Sequence, residues 1–490
     1  MISFIIANIP ALVITLPMFV APILAMIPCE TKPLNRYIVW QIAHLIIGLS
    51  FAGCVYLFVN VYNLGPLNYF FGAWPPPIGI EYEATKLNTL LLVLISGMAF
   101  VLMFFGRKSV EIEVDDKKAG LFYGVFLLLV SGLMGMVITN DIFNIYVFLE
   151  ISSLATYALV AMGSDRRALT ASFNYLVVGT IGGTLFLTGI AFLYILTGSL
   201  NISDIAYQLG LTQNARLQVA AITFLFIGLA IKSAIVPLAG WLPRVYAHAP
   251  SFVIAFIASV STKVALYLLA KVLYVLFGRD VALGMFALGD LLTVIAVIAI
   301  LFGGIAAVMN SDFKKTLAFS SISNIGYIVL GIGLGSKEAV TAAIILFIAH
   351  ALAKSGLFVI AGLTNNNIRG LKATSPTVAG LLALFGFSLI GVPLTLGFIP
   401  KWYLLLAASG LSGGMQLLVF TGVVGGAVLS AVYVWKLIEQ AYFTERTFVV
   451  KAGWEGMTSL IVLAILTISM GIWAEPFAGF VSSLAGEFAK

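Results

Sequence analysis

The chain has 490 residues, of which 61% are hydrophobic and only 9% charged. A water-soluble fold of that length needs far more charged surface, so the composition describes a polytopic helical membrane protein. The formal net charge of +6 reflects cations gathered in loops on one side of the membrane, and nucleic acid is excluded as a partner.

Apolar runs of about 20–30 residues lie near 2–27, 37–62, 84–106, 119–139, 141–163, 168–197, 217–243, 249–277, 283–309, 314–335, 338–363, 377–408, 412–440 and 456–484. They predict an all-α protein of about fourteen transmembrane helices. The first run lacks a basic leader and a small-residue cleavage site, and reads as a retained helix. Cys29 and Cys54 stand apart with no C-x-x-C, which supports neither a disulfide nor an iron–sulfur site. His44, alone in the second run, reads as a packing residue. The segment 63–83, with Pro75, Pro76 and Pro77 after Trp74, is expected to form a rigid cap. Counted along fourteen spans, the odd-numbered loops hold sixteen Lys and Arg and the even-numbered loops four. By the positive-inside rule both termini are expected outside the cell membrane.

From the fourth run onward the chain echoes itself. Asp141-IFNIYVFLEISS and Asp312-FKKTLAFSSISN both open a helix, at an offset of 171 residues, and Ala168-Leu-Thr-Ala matches Ala339-Val-Thr-Ala at the same offset. Val236-Pro-Leu-Ala-Gly-Trp-Leu-Pro-Arg244 is then echoed by Val392-Pro-Leu-Thr-Leu-Gly-Phe-Ile-Pro-Lys401. The expected organisation is an N-terminal group of helices over 1–118, five-helix repeats over 119–277 and 283–440, and a C-terminal loop and helix over 441–490. A unit of five helices is odd, so its second copy enters the membrane inverted, a pattern found in transporters. Pro237 and Pro393 are expected to break helices 7 and 12. Each removes a backbone donor, which the membrane interior tolerates only where protein or water re-satisfies the freed carbonyls.

Ionisable residues deep in apolar runs are costly and mark ion pathways. Glu150 lies mid-way along the fifth run, and Lys232, Lys263, Lys354 and Lys401 lie at comparable depth in others. His350 and Lys354 share a helical face at i, i+4, which suits a proton relay. Lys271, two turns beyond Lys263, is expected to reach the outer face as an anchor, and Asp141 and Asp312 to cap helices. His248, near the start of the eighth run, is a possible proton entry or an interfacial residue. The repeats are chemically unlike: Glu150 aligns with Ser321, whereas His350 and Lys354 align with Gly179 and Gly183. No Walker loop, dinucleotide fingerprint, metal-spaced His/Cys cluster or nucleophilic triad occurs, so neither a cofactor nor a metal site is expected.

With these residues in place the chain resembles the antiporter-like subunits shared by Mrp-type cation/proton antiporters, respiratory complex I and membrane-bound hydrogenases. The segments that carry the resemblance are NDIFNIYVFLEISSLATY (140–157), IKSAIVPLAGWLP (231–243), TKVALY (262–267), KKTLAFSSISNIGYI (314–328), HALAKSGLF (350–358) and GVPLTLGFIPKW (391–402). It implies an acid–lysine pair at Glu150 and Lys232, a central hydrophilic axis through Lys263, His350 and Lys354, and a terminal lysine at Lys401. Arg244 departs from the family pattern, which commonly has an acid there. The sequence stops after the last run without a long lateral helix, similar to the shorter D-type Mrp protein. The implied partners are other membrane subunits of an Mrp-type or redox-driven complex, H+, and Na+ or K+. Two readings of another class are open: a stand-alone transporter of a small solute, and a structural membrane subunit.

Overall fold

The computed structural model describes residues 6–29, 33–211, 214–445 and 453–488. Lys32, Arg446 and Lys451, counted among the loop cations, lie outside the described residues. The described chain is almost entirely helical, with one antiparallel hairpin pairing Leu67–Phe70 with Glu81–Ala84. Twelve of the described helices are long and apolar enough to cross a membrane, and Ile9–Ala25 and Pro376–Ile390 are apolar but shorter.

Helix ends follow local chemistry. Asp141, Asp165, Asp312 and Ser336 each accept a backbone N–H of the helix they open, capping Ile142–Ala161, Arg166–Thr197, Phe313–Leu334 and Lys337–Leu363. The seventh run stops as a helix at Lys232 and resumes over Leu242–His248, with Pro237 inside the gap. The twelfth run divides into Pro376–Ile390 and Phe398–Ser409, with Pro393 between. Both gaps hold a non-glycine residue in the left-handed region, Ala234 at φ 56° and Leu394 at φ 73°. The last run is also two helices, Trp454–Ile472 and Ala474–Ala485. Pro476 offers no N–H to the carbonyl of Ile472, so that helical hydrogen bond is missing where the two helices meet.

The eighth run shows a device that run length does not reveal. Ser251–Leu276 is one continuous apolar helix whose hydrogen-bond register widens to π turns at Ile257–Ser261 and Val272–Leu276. Such bulges recur at functional sites. These two bracket the α-helical stretch Thr262–Lys271, which carries Lys263 and Lys271.

The chain packs as two compact units. The first comprises Met1–Met103, Val110–Lys232 and Val264–Val281. At one of its faces the hairpin meets two other connections: Asn140 N–H donates to the Glu81 carbonyl at 2.9 Å, and Ile142 N–H to the Leu200 carbonyl at 2.9 Å. Segments 110–116 and 163–164 meet elsewhere, where Ser164 N–H donates to the Glu113 carbonyl at 3.0 Å and Arg36 pairs with Asp116. Even-numbered loops thus associate with even, and odd with odd, as alternating spans require.

The second unit comprises Phe104–Ser109, Ser233–Lys263 and Ala282–Lys490. Its odd-numbered connections also associate: Asn366 Nδ2 donates to Asp312 Oδ2 at 2.8 Å, and Gly370 N–H to the Gln440 carbonyl at 3.0 Å. One packing contact recurs inside both units at the 171-residue offset of the sequence echo. A Cβ on Gly132 would lie 2.9 Å from Ser152 N and 3.0 Å from the Phe148 carbonyl; a Cβ on Gly303 would lie 2.5 Å from Ser323 N and 2.8 Å from the Phe319 carbonyl. Only glycine lets these helix pairs approach so closely.

Candidate functional site

In the first unit, Ile142–Ala161 and Ala215–Lys232 bring Glu150 and Lys232 together. Glu150 Oε1 lies 3.7 Å from Lys232 Nζ, with the lysine side chain 6% exposed and the glutamate 24%. The ammonium also donates to Ser153 Oγ at 2.6 Å and to the Tyr157 hydroxyl at 3.3 Å, and sits 5.8 Å from the centre of the Tyr157 ring. Glu150, Ser153 and Tyr157 are spaced i, i+3, i+7 on one helical face, a spacing visible in the sequence that a search by charge alone overlooks. Glu150 Oε1 is buried and makes no hydrogen bond with the protein.

The position of Lys232 is set by a close helix crossing. A Cβ on Gly228 would lie 2.7 Å from the Gly182 carbonyl and 2.8 Å from Phe186 N, so Ala215–Lys232 lies hard against Arg166–Thr197. Lys232 is the last residue of its helix. A cation at that position meets the negative end of the helix dipole, and here the break turns it toward Glu150.

The second unit holds Lys263, His350, Lys354 and Lys401. Lys263 is 2% exposed, His350 1% and Lys354 0%. Lys263 Nζ donates to the Ala258 carbonyl, which the π turn leaves accessible to it. Lys354 Nζ donates to the Leu317 carbonyl at 2.7 Å and to Ser320 Oγ. Both lysines lie within electrostatic reach of His350, whose two ring nitrogens are buried and make no hydrogen bond with the protein. Lys401, on Phe398–Ser409, folds back across the break to donate to the carbonyls of Leu389 at 2.8 Å and Ile390 at 2.6 Å. It thereby caps the negative end of Pro376–Ile390, and lies 5.1 Å from the centre of the Tyr327 ring.

The remaining candidates fall elsewhere. His248 is half-buried at the end of Leu242–His248. His44 packs between Trp40 and Phe100, with ring centres 5.3 and 4.7 Å away. Both cysteines are free and buried. Lys271 is buried instead of reaching open water, and Nζ donates to the Thr139 carbonyl at 3.0 Å. Close by in the first unit, Glu81 Oε2 accepts from Asn140 at 3.0 Å and Asn201 at 2.8 Å, a buried cluster that the sequence does not announce. Among the described residues no group of three or more His, Cys, Asp or Glu could hold a metal ion.

Apolar spans that enclose an ion pair and several further buried bases define a polytopic membrane protein of the ion-translocating class. The chain belongs to the family described as NADH:quinone oxidoreductase/Mrp antiporter, transmembrane, which matches residues 139–430. It is an antiporter-like membrane protein of multi-subunit complexes. It is 37% identical over 444 residues to the N subunit of NADH-quinone oxidoreductase from Desulforudis audaxviator, covering 89% of this chain and 87% of the relative. With the D-type component of the Na(+)/H(+) antiporter from Alkalihalophilus pseudofirmus it shares 30% identity over 445 residues, 88% of each chain. Among solved structures it resembles a chain of an archaeal membrane-bound sulfane sulfur reductase, a respiratory membrane complex, with a TM-score of 0.89, 30% identity and coverage of 99% of this chain and 98% of that one.

Proposed function

We propose that this protein moves protons, using Glu150 and Lys232 in the first unit and Lys263, His350, Lys354 and Lys401 in the second, coupled to Na+ or K+ exchange or to a redox partner. The observation that carries the proposal is the 3.7 Å approach of the part-exposed Glu150 carboxylate to the buried Lys232 ammonium. A membrane interior disfavours both charges, and their separation decides whether the lysine keeps its proton. Any movement that changes that separation therefore loads or unloads Lys232. Protons enter near His248 from the cytoplasmic side and leave beyond Lys401. Tyr157 and Ser153 hold the ammonium in place while the acid comes and goes. Pro237 and Pro393 keep the two breaks open, and the repeats divide at 119–277 and 283–440. Both termini face outward across the plasma membrane.

Glu150 also supports assembly with other membrane subunits. It shares a helical face with Phe143, Val147 and Leu154, which are 43%, 38% and 55% exposed. A carboxylate one-quarter exposed on an apolar face at mid-membrane depth is costly against lipid, by about 2.5–3.5 kcal/mol on insertion scales. A neighbouring subunit with a polar or cationic group over that face removes the cost.

The test is Glu150→Gln in the assembled complex, reconstituted into vesicles carrying a pH-sensitive dye. Proton movement is expected to be lost while the complex purifies intact. Wild-type transport by this variant would overturn the proposal.

A further inference from the structure

The sequence echo pairs Glu150 with Ser321 and Gly183 with Lys354. The structure shows what each pair does with the space between its two helices. In the first unit the three atoms that a Cβ on Gly183 would meet first all belong to Glu150: Oε1, which it would overlap, Cδ at 3.1 Å and Oε2 at 3.8 Å. Gly182, its neighbour in sequence, instead meets Ile231 and the Gly228 carbonyl. Gly183 therefore borders the carboxylate, whereas Gly182 serves the helix crossing. The oxygen beside Gly183 is also the one that faces Lys232 at 3.7 Å.

In the second unit the sizes are exchanged. Ser321 is short and turns its hydroxyl back to the Leu317 carbonyl at 2.9 Å. Lys354 reaches that same carbonyl at 2.7 Å and the Ser320 hydroxyl from the opposite helix. A long acid facing a glycine in one copy becomes a short hydroxyl facing a long base in the other.

We propose that Gly183 is a positioning residue that sets where the Glu150 carboxylate lies relative to Lys232. We further propose that Glu150–Gly183 and Ser321–Lys354 are one large–small exchange that gives the two copies opposite charge at equivalent places. A glycine inside Arg166–Thr197 weakens the helix relative to alanine, and the room it leaves for the acid accounts for its presence. The transport part of this inference rests on the proton-carrying role proposed for Glu150; the steric part does not.

The experiment compares Gly183→Ala in the wild-type background and in Glu150→Ser, using the whole complex. Two quantities are read: the melting temperature of the purified complex, and the pH profile of proton transport in vesicles. In the wild-type background Gly183→Ala is expected to lower the melting temperature and to cut transport tenfold or more, with the residual activity displaced in pH. In the Glu150→Ser background, with the space vacated, the same change is expected to leave the melting temperature where it was. Gly179→Ala, whose Cβ would overlap the Tyr157 hydroxyl instead, is expected to destabilise both backgrounds alike. If Gly183→Ala alone fails to assemble, recovery of assembly in E150S/G183A supports the inference and its absence overturns it. An equal fall in both backgrounds overturns it too, as does a G183A complex with wild-type stability and pH profile. Normal transport by Glu150→Gln would remove the proton-carrying role while leaving the stability coupling intact, so the two failures are separable.

Discussion

Replacing Lys232 by methionine tests the central pair by its energetics. Methionine keeps an unbranched apolar side chain but removes the charge and the donors to Ser153 and Tyr157. At 3.7 Å and an effective dielectric of about 20, the attraction forfeited is about 4–5 kcal/mol. Stripping one partner from a buried ion pair costs about 3–5 kcal/mol. Because Glu150 is 24% exposed, solvent screening places the expected loss at the lower end, about 3 kcal/mol. Methionine in place of Lys232 should therefore lower the melting temperature of the complex by several degrees. The double variant E150Q/K232M leaves no unpaired charge and should recover to within about 1 kcal/mol of wild type, since neutral replacements for buried pairs are often harmless to stability. Transport should remain absent in both. Thermal unfolding of the solubilised complex, followed by size-exclusion chromatography after heating, measures the difference. A double variant as unstable as the single one would refute the reasoning, because the loss would then come from Lys232 packing and not from an abandoned acid.

Two further predictions concern the backbone that presents these side chains. Ala234, buried in the gap after Lys232 with φ 56°, should tolerate glycine within about 0.5 kcal/mol but lose about 2 kcal/mol or more to valine, which resists the left-handed region; equal melting temperatures for the two variants would contradict this. Asp312→Ala removes the cap on Lys315 N at 2.8 Å and the partner of Asn366 at 2.8 Å, and should cost about 1–2 kcal/mol, whereas Asn at this position keeps the cap. The comparison is again a melting temperature, and indistinguishable Ala and Asn variants would count against the cap.

The class of the protein, the approximate course of its spans, the sites of two breaks, the aspartates that start helices and the residue types that carry charge into the membrane are all legible in the sequence. These features depend on hydropathy along the chain and on bonds within a few residues: an apolar run must be helical in lipid, a proline lacks its donor wherever it stands, and an aspartate caps the helix that follows it. The contents of segment 63–83 were out of reach, because its hairpin is completed by Glu81 bonding to Asn140 and Asn201, 59 and 120 residues further along the chain. So were the π turns around Lys263 and Lys271, where a helix slips register without any proline or glycine run to announce it. Packing in three dimensions is what sets Glu150 against Lys232, keeps Lys271 buried, turns Lys401 onto the helix before its own break, and brings a glycine on a third helix to the edge of the acid. The reason is geometric. The cost of a buried charge is a property of one residue, but its relief comes from whichever side chains packing brings within a few ångströms, and sequence distance does not encode that.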